Sequence, residues 1–349
     1  MIGREKAPAI GALALALLVV ASAAHAQSPD FRGKTVRIIA GSVAGGYYDN
    51  YARLMSRHLG DYLPGKPTII VGNMPGASGV QAANYIQEVA PKDGTALATF
   101  NKSMPFYEVI DAPGVRFRSR ELTWIGALSQ SVDTMVMWHT TGVKTVEDTK
   151  KREFVLGAVS AVGTTYIYPA LLNATIGTKF RMVTGYNGGI LIDHGMEKGE
   201  VEGRGSNQWA SWKSEHPDWV RDGKIVPIVQ IGLRKEPDLP NVPMLTELAR
   251  NEEERRIFEF ISNTSALDGP LVGPPGMPAD IAAALRQAFD AMVASPAFAR
   301  DAAQSGVDLA PLTGARTGEL AVAVTSAPRE LVDKVKAMIA AKPDESKPR

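Results

Sequence analysis

Three glycine-rich segments stand where predicted strands end and predicted helices begin, and they are the part of the sequence best suited to hold a ligand. They are residues 41–47, 160–165 and 185–189. Glycine lets the backbone approach a ligand closely, and the first N–H groups of a helix have no partner within the helix. Anions bind at such helix N-termini. Short, glycine-rich turns also connect strands to helices in proteins that bind nothing there.

Patterns for covalent or metal chemistry are missing from the sequence. It contains no cysteine, and the four histidines beyond residue 26, His58, His139, His194 and His216, stand at no metal-ligand spacing from one another. Residues 76–80 (GASGV) lack the last glycine of a nucleophile elbow, and no Walker or dinucleotide loop follows a strand. We therefore expect no catalytic residue, no metal site and no cofactor, and a protein that is not an enzyme.

Composition and charge exclude further classes of partner. The chain has 349 residues, which is more than one hydrophobic core usually serves, so two lobes are expected. Lysine and arginine number 38 against 37 aspartate and glutamate residues. This balance gives no electrostatic footprint for nucleic acid or an anionic membrane.

The N-terminal segment predicts export. Arg4 and Lys6 precede an apolar run over residues 10–20, which is too short to span a bilayer. Residues 24–26 (AHA) then form a small-residue cleavage site. We expect a signal peptide over residues 1–26, cleaved after Ala26, and a mature protein in the periplasm.

The rest of the chain alternates short apolar runs with amphipathic stretches. Residues 35–40, 68–71 and 96–100 read as strands, separated by helices over 48–62 and from Ser78, as N-cap, to Ala90. A second set of strands and helices follows, with a further strand predicted at 257–262 and a strong helix at 278–294. This order predicts an α/β protein whose sheets are mostly parallel, with helices on both faces.

Several short motifs, in order, resemble the receptor subunits of tripartite tricarboxylate transporters, the Bug-type solute receptors. They cover essentially the whole chain after the signal segment and comprise residues 35–49, 73–79 (NMPGASG), 91–94 (PKDG), 160–165, 199–202 (GEVE), 239–243 (LPNVP) and 273–278 (GPPGMP). The resemblance implies a two-lobed periplasmic-binding-protein fold of type II, a Venus flytrap. Lobe one would comprise residues 28–130 and 266–349, and lobe two residues 131–265.

The same resemblance implies a function and partners. The protein would be a monomeric receptor that closes on a small carboxylate solute and delivers it to a two-component membrane permease. Two other readings stay open: a sensory receptor for a membrane kinase, and an exported hydrolase whose best residues would be Ser42, Asp49, Ser78 and His194.

The resemblance also implies which residues bind the solute. Backbone N–H groups of the two facing glycine loops would hold its carboxylate, with neighbouring side chains around them. The expected ligand-binding residues are Ala44, Gly45, Gly46, Tyr47, Asp49, Gly163, Thr164, Thr165, Tyr186, Ser206 and Asn207.

The sequence departs from the family pattern at three places. Ala44 replaces a usual proline, and Tyr47 and Tyr48 replace small residues, which puts aromatic bulk near the cleft. Ser206 replaces an aspartate that could pair with a ligand amine, and Arg204 stands two residues before it. Because a buried ammonium without an anionic partner is costly, the sequence favours a carboxylate that carries no ammonium group.

Overall fold

A computed structural model describes residues 29–340 of the chain. The predicted signal segment, its cleavage site after Ala26, and the polar C-terminal tail lie outside the described residues. None of the helices within 29–340 is both long and apolar enough to cross a bilayer.

Eleven strands within the described range form two separate sheets. In chain order they are β1 Thr35–Ala40, β2 Thr68–Asn73, β3 Ala96–Thr99, β4 Thr123–Ser129, β5 Asp133–Trp138, β6 Phe154–Ala158, β7 Phe180–Thr184, β8 Gly203–Gln208, β9 Ile225–Ile231, β10 Asp268–Gly273 and β11 Leu312–Thr313. The first sheet has the order β11-β4-β10-β3-β1-β2, and the second has the order β7-β6-β8-β5-β9.

Helices cover both sheets. They are α1 Tyr47–Tyr62, α2 Val80–Glu88, α3 Met104–Val109, α4 Thr164–Ile176, α5 Gly189–Glu197, α6 Trp209–Glu215, α7 Pro217–Arg221, α8 Glu252–Asn263, α9 Ala279–Val293, α10 Pro296–Gln304, α11 Gly314–Thr325 and α12 Arg329–Ala340. Several single 3₁₀ turns join them, among them Ala77–Gly79 and Val146–Lys150.

The two-lobed α/β architecture is confirmed, but both sheets are mixed rather than mostly parallel. Strand β1 pairs in parallel with β2 and β3, and β6 pairs in parallel with β7 and β8. Strand β10 runs antiparallel to β3 and β4, and β5 runs antiparallel to β8 and β9. The reason is topological: β5 and β10 are the strands that enter each sheet from the other one, and they enter at its carboxyl edge.

This entry direction brings the carboxyl edges of the two sheets to face each other. Because β10 is antiparallel to β3 and β4, its first residue, Asp268, lies beside their last residues. Asp133, the first residue of β5, lies in the same way beside Gln208 at the end of β8. Strand β4 ends at Ser129 and β5 begins at Asp133, so the chain crosses from one edge to the other within a few residues.

The apolar core is continuous between the sheets on one side of the molecule. One buried cluster contains residues of the first sheet and its helices, such as Ile39 and Phe106, together with Met135, Leu156 and Leu172 of the second. Helix α12 packs against α4 and α8, and its Lys336 bonds to Asp111 after α3.

Two local expectations are wrong. Residues 257–262 belong to helix α8 rather than to a strand. The helix begins after Asn251, whose side chain accepts the Glu254 N–H, and it buries Ile257, Phe258 and Ile261. Those apolar residues have the spacing of one helix face. A short apolar run fits a strand as well as a helix, so the sequence pattern did not distinguish the two. Ser78 is not an N-cap: it has a positive φ of 57°, and Gly79 precedes α2 without a side-chain cap.

Candidate functional site

The first glycine loop leads from β1 into α1, and a buried carboxylate holds its shape. Asp49 accepts hydrogen bonds from the Gly45 amide, from Asn73 Nδ2 and from Arg53 Nε, each at 2.8 Å. The Gly46 amide donates to Val43 O at 3.0 Å. The Asp49 carboxylate and the amides of Gly45 and Gly46 therefore hold the shape of the loop through its internal hydrogen bonds.

The backbone amides without an acceptor at this loop are those of the first turn of α1. Helix α1 begins at Tyr47, and the Tyr47 and Tyr48 N–H groups bond to no carbonyl of the described residues. Ala44, which precedes the glycine pair, is exposed. The terminus thus offers N–H donors and the positive end of a sixteen-residue helix.

The second glycine loop repeats this arrangement on the other sheet. Helix α4 begins at Thr164 after the N-cap Gly163, whose amide donates to Ser160 O at 3.1 Å. The Thr165 hydroxyl accepts the Val159 amide at 3.1 Å and fixes the turn. The Thr164 and Thr165 amides have no acceptor among residues 29–340, so this terminus also presents N–H donors.

The loops of the two sheets touch. Ser78 Oγ and Ser160 Oγ lie 3.0 Å apart, and a Cβ placed on Gly163 would lie 3.4 Å from Ser78 Oγ. The turn that carries Ser78 packs on the end of β1, since a Cβ on Gly79 would lie 3.4 Å from Gly41 O. This contact joins the turn beside the first glycine loop to the second glycine loop, so the N-termini of α1 and α4 lie at the facing edges of the two sheets.

The floor of this cleft is a buried ion pair. Lys102, which follows β3, is 4% exposed and bonds to Asp133 Oδ1 at 2.6 Å and Ser131 Oγ at 2.7 Å. Asp133 Oδ2 accepts the hydroxyls of Tyr168 and Ser206, both at 3.2 Å. Every polar atom of this group has a hydrogen-bond partner. The ion pair therefore joins the two sheets, and neither of its charges is left without a partner.

A second buried cluster surrounds Asp268. The hydroxyls of Tyr47 and Tyr51 approach its Oδ2 at 2.7 and 2.8 Å, and Gln208 Nε2 approaches the same oxygen at 2.7 Å. The Tyr47 hydroxyl also contacts the Gln208 side-chain oxygen and the Tyr51 hydroxyl, and its single hydrogen serves one of these acceptors at a time. Burial first, and then the Asp268 charge, raise the pKa of Tyr47 and Tyr51, so both phenols stay protonated and serve as donors.

The remaining predicted site residues lie in different surroundings. Ser206 is buried on the floor, and the Asn207 amide nitrogen is buried without a partner in the described part of the chain. Tyr186 turns away to α5, where its hydroxyl would lie 3.0 Å from a Cβ on Gly195. The structure therefore brings Tyr47, Ser206 and the two glycine loops to the facing edges, whereas Tyr186 packs against the buried face of α5.

Arg204 does not share the environment of Ser206. Its guanidinium bonds to both oxygens of Asp193 at 2.9 and 3.0 Å and lies over Trp212, on the side of α5 and α6. The cause is a β-bulge: Thr134 pairs with Asn207 and Val136 with Arg204, so two residues, Gly205 and Ser206, oppose Met135 alone. The bulge breaks the alternation of faces that a regular strand would have.

The residues that could serve other chemistries are dispersed or already neutralised. Ser42 accepts the Asp49 amide, whereas His194 lies exposed on α5 beside Glu197. Oxygen and nitrogen atoms of Asp193, Glu215 and His216 lie within 4.8 Å of one another, which is a metal-like spacing. The Arg204 guanidinium is already bonded to the Asp193 carboxylate, and the positive charge of Arg204 would repel a metal ion at this cluster.

Sequence reasoning missed Lys102, Asp133, Gln208 and Asp268, the charged and polar residues of the cleft floor. Lys102 follows the end of a strand, Gln208 ends one, and Asp133 and Asp268 each begin one. A position at a strand end is the one sequence signal that could have indicated them. Because they are far apart in the chain, only the crossing of β5 and β10 brings them together.

Comparison with known proteins gives both relatives and solved structures. No family model matches the chain. A UPF0065 protein in the gbd 5' region of Cupriavidus necator is 25% identical over 333 residues, covering 93% of this chain and 95% of that protein. The periplasmic binding protein BugD has a TM-score of 0.66 at 17% identity, covering 86% of this chain and 97% of its own.

Two similar structures contain small carboxylates. Rpa4515 of R. palustris with adipate has a TM-score of 0.66 at 17% identity, and covers 88% of this chain and 99% of its own. MatC of Rhodopseudomonas palustris with bound malate has a TM-score of 0.63 at 18% identity, and covers 87% of this chain and 98% of its own. The chain thus has the fold of Bug-type periplasmic solute-binding proteins, and the resemblance indicated by its sequence motifs is confirmed.

Proposed function

We propose that the protein is a periplasmic receptor that binds a small carboxylate between its lobes and delivers it to the two-component permease of a tripartite tricarboxylate-type transporter. The observation that carries the proposal is the contact between Ser78, in the turn packed against the end of β1, and Ser160 in the second glycine loop, beside the N-termini of α1 and α4. Adipate and malate in two structural neighbours support a carboxylate as the solute. Lobe one comprises residues 28–130 and 266–349 and lobe two residues 131–265, with α12 reaching across to α4.

The carboxylate is held by backbone N–H groups rather than by a metal or a basic side chain. Hydrogen bonds to a charged group contribute about 1.5–3 kcal/mol each, and a helix N-terminus adds about 0.3–1 kcal/mol. Three or four amides from Tyr47, Tyr48, Thr164 and Thr165 therefore approach the roughly −8 kcal/mol of a micromolar complex. Ala44 contributes its exposed amide at the rim, and Asp49 acts by holding the loop. Export of the chain, with cleavage after Ala26, belongs to the same proposal.

A proline substitution tests the role of the backbone. Thr164→Pro removes one N–H at the first position of α4, where proline fits a helix, so the fold should persist while carboxylate binding is lost. Thr164→Ala keeps the amide and should bind as the wild type does. Gly46→Val should also lose binding, since its Cβ would lie 2.9 Å from Val43 O.

The readout is the melting temperature of the full chain with a panel of mono-, di- and tricarboxylates. A solute at 100 times its Kd adds about 2.7 kcal/mol to the native state. That raises the melting temperature by several degrees, at about 2–4 °C per kcal/mol. Equal shifts in Thr164→Pro and Thr164→Ala would show that the α4 terminus is not the binding site.

A further inference from the structure

The turn that carries Ser78 has a left-handed backbone at four successive residues. The φ angles are 137° at Gly76, 45° at Ala77, 57° at Ser78 and 99° at Gly79. The Gly79 amide donates to Gly76 O at 2.9 Å, and a hydrogen-bonded turn with positive φ at both central residues is of type I′. Within residues 29–340, four residues other than glycine have a positive φ, and Ala77 and Ser78 are the two of them that are adjacent.

The central residues of this turn do not suit its hand. Type I′ turns favour glycine, asparagine and aspartate at these positions, because the Cβ of most other residues crowds the backbone at positive φ. Ala77 is exposed, so packing of its side chain does not hold it in this conformation. The mirror-image type I turn accepts most residues. The left-handed form of the turn therefore costs free energy that its own residues do not recover.

The left-handed form provides a contact with the second sheet. Ser78 Oγ lies 3.0 Å from Ser160 Oγ, and a Cβ on Gly163, the N-cap of α4, would lie 3.4 Å from the same Ser78 oxygen. The other end of the turn packs on the first sheet, since a Cβ on Gly79 would lie 3.4 Å from Gly41 O. A strained backbone persists only where its surroundings hold it. The contact with Ser160 is the part of those surroundings that depends on the position of the lobes.

We propose that the turn 76–79 changes hand as the lobes move: it is left-handed while Ser78 contacts Ser160, and of type I once that contact is broken. Gly76 and Gly79 flank the central pair and permit both forms, because glycine adopts either sign of φ. The inference rests on the proposed function, which places the solute between the lobes. Closing on the solute then includes the cost of reversing Ala77 and Ser78, so this turn lowers the apparent affinity and speeds release.

A series of substitutions at Ala77 tests the inference, because this exposed side chain lets each substitution act on the backbone. Ala77→Gly and Ala77→Asn favour positive φ, whereas the branched side chain of Ala77→Val opposes it more than alanine does. The measurement is calorimetric titration of the full chain with malate, adipate and citrate. We expect Ala77→Gly and Ala77→Asn to bind about three- to tenfold more tightly than the wild type, and Ala77→Val about tenfold more weakly.

Lys66 provides the matched control. It is exposed, has a φ of 46°, and precedes β2 at the end of that strand opposite to Asn73. Lys66→Gly and Lys66→Val should alter the free energy of unfolding in the same directions as the corresponding Ala77 variants, and should leave the solute affinity within about twofold of the wild type. Ala77 variants that change unfolding but not affinity would show that the turn keeps one hand in both states, which contradicts the inference.

A second readout needs no solute. In the double variant Ser78→Cys with Ser160→Cys, titration with a glutathione redox buffer measures how readily the two loops meet. Adding Ala77→Gly should shift this equilibrium toward the disulfide by about threefold or more relative to adding Ala77→Val. Equal equilibria, or a pair that stays reduced in both backgrounds, contradict the inference. Failure of every carboxylate in the panel contradicts the proposed function instead, and the redox equilibrium then decides the inference alone.

Discussion

At the residue scale, Arg204 shows how a buried charge is kept in this protein. Its guanidinium is held by Asp193, which also accepts from His216 Nε2 at 3.3 Å. Burial alone would raise the pKa of Asp193, but the Arg204 charge and the hydrogen bonds from His216 and Arg204 outweigh it and leave the pKa below 3.8. The cluster therefore joins α5, β8 and α6 through charge.

Removing that carboxylate should destabilise the protein strongly. Asp193→Asn leaves the Arg204 charge buried without an anion, which costs about 3–5 kcal/mol in comparable cases. Asp222→Asn, which removes an exposed pair with Arg221, should change the free energy of unfolding by about 0–1 kcal/mol. Urea denaturation of both variants provides the comparison, and equal losses would contradict the assignment.

The same carboxylate sets a pH dependence with a definite sign. A group whose folded pKa is lowered binds fewer protons when folded, so its stabilisation is present above the unfolded pKa near 3.8 and is lost as the pH falls through the lower folded value. Stability should thus decline below about pH 4 in the wild type. In Asp193→Asn the decline should be shallower, and identical slopes would argue against this role.

At the element scale, strand β4 depends on glycine for its contact with α9. A Cβ on Gly126 would lie 2.2 Å from Phe289 Cε1, which no small movement of the ring relieves. Gly126→Ala should therefore cost about 1–3 kcal/mol by overpacking.

Gly318, inside α11, is the matched control with the opposite sign. Its nearest neighbour would lie 3.6 Å from an added Cβ, on Trp124. Alanine is preferred to glycine inside a helix by about 1 kcal/mol, so Gly318→Ala should stabilise. Thermal or urea unfolding that moves both variants in the same direction would contradict the contacts described for β4.

At the scale of the whole molecule, polar side chains join the two lobes at their facing edges, in addition to the apolar core that runs between the sheets. Ser78 and Ser160 meet across the cleft, and Arg234 Nη2 bonds to Asp308 Oδ2 at 2.7 Å where the second sheet lies beside the end of α10. Lys102 and Asp133 join the facing edges at the floor.

A paired cysteine substitution reports the contact between Ser78 and Ser160 directly. The chain has no cysteine, and the Ser78 and Ser160 oxygens lie 3.0 Å apart, within the reach of a disulfide after a small shift. Ser78→Cys with Ser160→Cys should oxidise spontaneously and run faster in non-reducing electrophoresis. Each single variant should remain a thiol, and an unoxidised double variant would show that the loops do not meet in solution.

The sequence alone indicated the order of the motifs and the glycine-rich loops suited to a ligand. It did not determine how the side chains of the two sheets come together. Gly-rich segments after apolar runs located the β1–α1 and β6–α4 loops, because glycine and helix starts are local properties. The ordered motifs indicated the family and hence the fold, which the comparisons confirm. Local patterns failed where a short apolar run suits either a strand or a helix, as at residues 257–262 in α8.

Only the tertiary structure decided which side chains share the cleft. Lys102, Asp133 and Asp268 lie in three distant parts of the chain, and they meet because β5 and β10 enter their sheets at the carboxyl edges. The bulge opposite Met135 sends Arg204 to Asp193 instead of the floor, which no alternation of residues reveals. Long-range strand entry and a one-residue register shift are properties of sheet pairing, and pairing depends on partners that are remote in sequence.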